Sequence, residues 1–141
     1  MRISTKFSVA VHALILVSVE KEPCSSAWIA GSVNTNPVVI RRIIGLMQKA
    51  GILTGIQGKS GYTIMKPASK LTLLDIYKAV AVSESDQLFC IHGHPNINCP
   101  VGASIQFLLE TVMGDAQNAM EKVLDAVTLQ QLVDKMPKSP A

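Results

Sequence analysis

Aromatic residues are scarce in this 141-residue chain, with three Phe, two Tyr and one Trp, so its core must be aliphatic. Charge is scarce too, at 16%, while nearly half of the residues are apolar. That balance excludes a disordered chain, except over the tail from Pro137 to Ala141. Cysteine is limited to three, an odd number that does not build a secreted disulfide framework. No apolar run is long enough for a membrane span: the stretch from Val9 to Val19 is too short and contains His12. The opening MRISTKF leads into no cleavage-site pattern, so no signal peptide is expected and the protein reads as cytoplasmic. Acid is short in the first half. Residues 1–70 hold nine Lys or Arg against Glu20 and Glu22, a balance of +7, whereas residues 71–141 carry −4. A polyanion partner for the basic half is the natural expectation, and a solvated basic face is the alternative. The length suits one domain with an appended helix.

What is present is concentrated in residues 33–64, VNTNPVVIRRIIGLMQKAGILTGIQGKSGYTI. Asn36 is a good N-cap and Pro37 fits the first helical position, so a helix starts there. Gly51 stops it. Ile52–Ile56 and Tyr62–Ile64 then read as strands joined by the turn Gln57-Gly58-Lys59-Ser60-Gly61. A capped helix running into a basic, Gly-rich hairpin is the pattern of a winged helix-turn-helix, a shape that places a helix in a DNA major groove.

Caps and periodicity set the other elements. Ser4 is expected to cap a first helix running to about Glu20, with Phe7, Val11, Leu14 and Val17 as its stripe and His12 as a hydrogen-bonded core residue. Glu22-Pro23 breaks it. Ser25 or Ser26 is expected to cap a second helix through about Ser32, with Trp28 and Ile29 in the core. Pro67 ends the wing, and Thr72 with Asp75 starts a fourth helix, Leu73 to about Val82. A loop follows from Ser83 to Cys99. Pro100 opens the longest helix, to about Ala126, and Thr128 caps a last one through about Met136. The long helix has one stripe of Val101, Ile105, Leu108, Val112, Ala119, Val123 and Ala126, spaced like a coiled-coil seam, and a second strip of Leu109, Met113, Met120 and Leu124 beside it. Two apolar sides need two partners. One is the winged domain and the other is the same helix of a second subunit, through Ile105, Leu108, Val112, Ala119 and Val123. A helix buried within a monomer is the alternative. The expected architecture is mainly α with a small β-hairpin wing. A winged helix-turn-helix domain occupies 1–82, a cysteine/histidine sensor loop 83–99, the dimerisation and C-terminal helices 100–136, and a flexible tail 137–141.

On the third helix, Ile40, Ile43, Ile44, Met47 and Ala50 should face the core. The outer side carries Val38, Arg42, Gly45 and Lys49, flanked by Arg41, with no acid. Gly45 admits close backbone approach, and the cations release counterions from phosphates. Thr35, Asn36, Val38, Arg41 and Arg42 lie where base edges are read: Arg suits guanine, Asn suits adenine, and Val38 suits a thymine methyl. Lys49 and the wing-tip Lys59 suit phosphates. Ser25 and Ser26, at a helix N-terminus, suit a phosphate through hydroxyl and N–H.

MRISTKFSVAVHAL, NTNPVVIRRIIGLMQKAGIL, GKSGYTI, LTLLDIYKAV and a cysteine-bearing loop before a long helix, in that order, resemble the Rrf family of winged helix-turn-helix transcription regulators, which includes IscR and NsrR, and within it the YwnA-like branch. The resemblance covers nearly the whole chain. It implies a bacterial homodimer, usually a repressor, binding double-stranded DNA at a palindromic operator, with the long helix as dimer contact and the loop before it as sensor. Two positions depart from the family pattern. Gln57 stands where the wing commonly carries Arg, and the loop has two cysteines where cluster-binding members carry three.

That loop reads Cys90-Ile-His92-Gly-His94-Pro-Asn-Ile-Asn-Cys99. Thiols and imidazoles are ligands for zinc and iron–sulfur clusters, although the spacing matches no standard zinc motif. Four readings stand: a thiol redox switch at Cys90 and Cys99, an iron–sulfur cluster, zinc, or inert side chains with no cofactor. Cys24 reads as incidental. Two other functions compete with a DNA-binding regulator. A winged-helix protein-interaction module should have an apolar or mixed recognition face, and here the face is basic. A small thiol-dependent enzyme needs a positioned base and a substrate site, and the sequence holds no Gly-rich nucleotide loop and no C-x-x-C.

Overall fold

The computed structural model describes residues 2–83, 86–87 and 89–137. Helices α1 (Ile3–Val19), α2 (Ser26–Val33) and α3 (Pro37–Lys49) are followed by β1 (Leu53–Gly55) and β2 (Tyr62–Ile64), then α4 (Leu73–Val80), α5 (Pro100–Asp125) and α6 (Leu129–Asp134). The strands pair antiparallel, with Leu53 opposite Ile64 and Gly55 opposite Tyr62. The fold is therefore mainly helical with a two-stranded wing, as the sequence predicts. The expected flexible tail falls largely on 138–141, outside the described residues, as do positions 84, 85 and 88 of the expected loop.

The core is aliphatic. Leu14, Ile29, Ile40, Ile44, Met47, Leu53, Leu71, Ile76, Val80 and Leu129 are its largest fully enclosed side chains. They come from α1 to α4, the wing and the start of α6, so α6 completes the winged unit. A backbone clasp holds it there. Leu129 N–H donates to Leu71 C=O at 2.8 Å and Leu73 N–H to Val127 C=O at 2.9 Å, around a bridge between Thr72 and Thr128. Each threonine closes a capping box, Thr72 with Asp75 and Thr128 with Gln131.

Several expectations need correction. Ser4 does not cap α1: the helix begins at Ile3 behind Arg2, which makes no capping bond, because Ile3 itself is buried. The buried face of α1 is Ile3, Val9, Ala10, Ala13 and Leu14, while Phe7, Val11 and Val17 are only half-buried. The alanines let neighbouring helices approach closely, and bulk hydrophobicity hides that. Trp28 is 48% exposed, since Ile29 and Ala30 already fill the inner face of the short α2. Ala50 is exposed at the end of α3. His12 is half-buried rather than core, with Nε2 at 2.9 Å from Ser32 Oγ. Helices α4, α5 and α6 end at Val80, Asp125 and Asp134, slightly earlier than expected.

Candidate DNA interface and sensor loop

Asn36 caps α3: its Oδ1 accepts from Val38 N–H at 2.8 Å, and Pro37 follows. The helix ends before Gly51, whose φ of 74° is the left-handed geometry that suits glycine. Ile40, Ile43, Ile44 and Met47 are buried and lock the helix onto the core. That leaves Arg41, Arg42 and Lys49 exposed, with Val38 half out in solvent. Gly45 opens between them, and a Cβ there would meet no heavy atom within 4 Å. Among the described residues the ion pairs are Lys6–Asp86 and Lys66–Asp75. Among the described residues, therefore, Arg41, Arg42, Lys49 and Lys59 have no carboxylate partner.

Capping also limits what two candidates can do. The Asn36 carbonyl is spent on Val38, so a two-bond contact with adenine would break the cap. Ser25 Oγ accepts from Trp28 N–H at 3.1 Å, so that oxygen and that N–H are engaged with each other and an anion at the α2 terminus must use other N–H groups. Ser26 is the first residue of α2, and Thr35 is half-buried, its N–H on Ala30 C=O at 3.0 Å. Lys59 sits exposed in the wing turn, where its N–H closes onto Ile56 C=O at 3.2 Å. The wing is fixed to the helices at Gly61, which has a φ of 131°. A Cβ on it would lie 2.6 Å from Pro23 Cβ.

The cysteine/histidine loop leaves α4 under a tether that the sequence did not reveal. Asp86 is buried, accepting from Lys6 Nζ at 2.9 Å and from Ser83 Oγ at 3.1 Å. The Lys6 bond holds its carboxyl below the usual range. Cys90 is exposed, with Sγ donating to Gln87 C=O at 3.2 Å. Cys99 is exposed at the N-cap of α5. Its thiol makes no capping hydrogen bond, yet the N–H groups of Gly102 and then Val101 favour the thiolate and lower its pKa. His92 and His94 are exposed, His94 with φ 56°. Cys24 is buried, 3.8 Å from the carbonyls of Leu16 and Glu22. Burial and then Glu20 push its thiol up.

Among the described residues no three His, Cys, Asp or Glu side chains gather closely enough to hold a metal. Cys90, His92, His94 and Cys99 therefore do not form a ligand set within one chain, and neither zinc nor an iron–sulfur cluster fits them as they stand. On α5, Leu109, Met113, Met120 and Leu124 are half-buried, Met120 and Leu124 against the core of the winged unit. Val101, Leu108, Val112 and Val123 remain 59–66% exposed, Ile105 is half-buried and Ala119 is exposed. No helix among the described residues is long and apolar enough to cross a membrane.

Comparison with known proteins agrees with this geometry. The family profile described as "Rrf2: Iron-dependent Transcriptional regulator" matches residues 3–135. The chain is 41% identical over 134 residues to the "Putative HTH-type transcriptional regulator YwnA" of Bacillus subtilis (strain 168), covering 95% of this chain and 98% of that one. The oxidised form of Staphylococcus aureus CymR superposes with a TM-score of 0.64 at 26% identity, over 98% of this chain and 100% of that one. T. potens IscR shares the fold with a TM-score of 0.69 at 18% identity, over 99% and 94%. The chain belongs to the Rrf2 family of winged helix-turn-helix transcriptional regulators.

Proposed function

We propose that this regulator acts as a cytoplasmic homodimer that binds palindromic double-stranded DNA and represses transcription, with thiol chemistry at Cys90 and Cys99 setting its DNA affinity. The carrying observation is the outer face of α3: three exposed cations around an open glycine, without an acid on that face or an ion pair among the described residues. Arg41 and Arg42 read base edges, Lys49 and Lys59 bind phosphate, and the α2 terminus at Ser25 and Ser26 holds a further phosphate. Thr35, Asn36 and Val38 complete the groove surface, with Asn36 acting first as a cap. A second subunit on the exposed α5 seam sets two recognition helices about 34–36 Å apart, one turn of DNA. The redox reading is favoured by two exposed thiols in one loop, one of them with a stabilised thiolate, and by the oxidised form in which the CymR relative crystallises.

The test begins by selecting sequences from random duplex DNA with the wild-type protein. An inverted repeat should be enriched. Arg41→Ala with Arg42→Ala should then lose binding to it by at least about thirtyfold per half-site, two contacts at about 1–3 kcal/mol each, with an unchanged thermal midpoint. A folded double variant that binds the selected site normally would refute the assignment.

A further inference from the structure

A cleft of about 730 Å³ lies between the sensor loop and the middle of α5. Phe89, Cys90 and Ile91 form one wall, and Glu110, Met113 and Gln117 form the other. At 100° per residue these α5 positions lie about 110–170° round the helix from the Val101–Val123 seam. A second subunit seated on that seam leaves the cleft open. Glu110 is the only formal charge among the described lining residues. Gln117 Nε2 donates to the Tyr77 hydroxyl at 3.2 Å, and its Oε1 is enclosed away from the cleft. The cleft thus combines apolar side chains, a carboxylate and a thiol at the rim. A carboxylate beside apolar walls calls for a donor with positive charge.

We propose that the cleft receives the arm of a small aminothiol joined to Cys90 as a mixed disulfide. The incoming reagent is a low-molecular-weight disulfide bearing primary ammonium groups. The Cys90 thiolate, its proton given to solvent, attacks one sulfur of that disulfide. The new S–S bond forms as the old one breaks. Cys90 is oxidised, and the departing half leaves as a reduced thiolate that takes up a proton. The retained ammonium lies beside Glu110, and the methylene arm packs on Phe89 and Met113. The site stands whether or not its occupation changes DNA affinity.

Three reagents test it on the full-length reduced protein: cystamine, bis(2-hydroxyethyl) disulfide and 3,3′-dithiodipropionic acid, which carry positive, no and negative charge. Peptide mass spectrometry follows the rates at Cys90 and at Cys99, the exposed internal reference. The Cys90 to Cys99 rate ratio should fall by about tenfold or more from cystamine to the dicarboxylate, as expected for one nearby charge in a partly screened cleft. Glu110→Gln, a change at an exposed position, should erase that gradient and leave the neutral reagent unaffected. Met113→Trp, which fills the cleft, should slow all three at Cys90 only. An equal ratio for the three reagents, an unreactive Cys90, or a gradient that survives Glu110→Gln overturns the proposal.

Discussion

Two thiols in this chain are driven in opposite directions by their surroundings. Cys24 is enclosed beside an acid and its pKa rises, whereas Cys99 stands at the open N-terminus of α5 and its pKa falls. Iodoacetamide at pH 7 should therefore alkylate Cys99 long before Cys24. Since folding lowers the Cys99 pKa, its rate should turn on at a lower pH in the native protein than in the urea-unfolded chain, where the midpoint is about 8.5. Coincident native and unfolded profiles would remove the helix-terminus effect. The glycines divide as sharply. Gly61→Ala must bear a φ of 131° and a contact with Pro23, and should destabilise the protein by about 1–3 kcal/mol in urea titrations. Gly45→Ala meets open space inside a helix and should stabilise the fold by about 0.5–1 kcal/mol. On the proposed interface it should also weaken operator binding, because the added methyl group would stand where the DNA backbone approaches. Tighter DNA binding by that variant would show that Gly45 serves some other purpose.

Helix termini were the most legible part of the sequence because capping is local chemistry. Asn36-Pro37, Thr72 with Asp75, and Thr128 all start helices where a short polar side chain meets a free N–H. Thr72→Ala should cost about 1 kcal/mol at the thermal or urea midpoint. Faces were less legible. Trp28 reads as core by its bulk, yet a helix of eight residues has room for only one inward strip. The Lys6–Asp86 pair spans eighty positions, so no spacing rule could find it. Its effect has a definite sign. The Lys6 bond lowers the folded pKa of Asp86, so folding favours the ionised form. That contribution is full above the unfolded value of about 3.9 and is lost as pH falls through the lower folded one. Asp86→Asn should flatten the acid limb of stability in that window and leave its slope unchanged near neutrality. A variant whose acid limb matches the wild type would mean the pair adds nothing to stability. The cleft beside Cys90 left only a faint trace in the sequence: Gln117 is polar next to the apolar strip of α5, between Met113 and Met120.

The two halves of the chain have opposite charge because they meet different surroundings. The basic half presents α3 and the wing, and the acidic half carries α5, whose seam of Val101, Leu108, Val112 and Val123 is left exposed by the described residues. A helix so exposed on one side suits association, and in the proposed dimer the identical seam of a second copy covers it. The proposed association also explains how one short helix can select a site. A single recognition helix makes too few contacts, whereas two on one rigid frame bind the second half-site at high effective concentration. Leu108→Glu with Val112→Glu places four like charges across that seam. The variant should scatter light as a monomer and keep the core of α1–α4, since neither residue is buried in it. Its affinity for the selected inverted repeat should fall to that for a single half-site. Its binding to that half-site should keep the same salt dependence, because Arg41, Arg42, Lys49 and Lys59 are untouched. A charged variant that stays dimeric would move the interface off the seam. A monomer that binds the full repeat as tightly as the wild type would separate recognition from dimerisation.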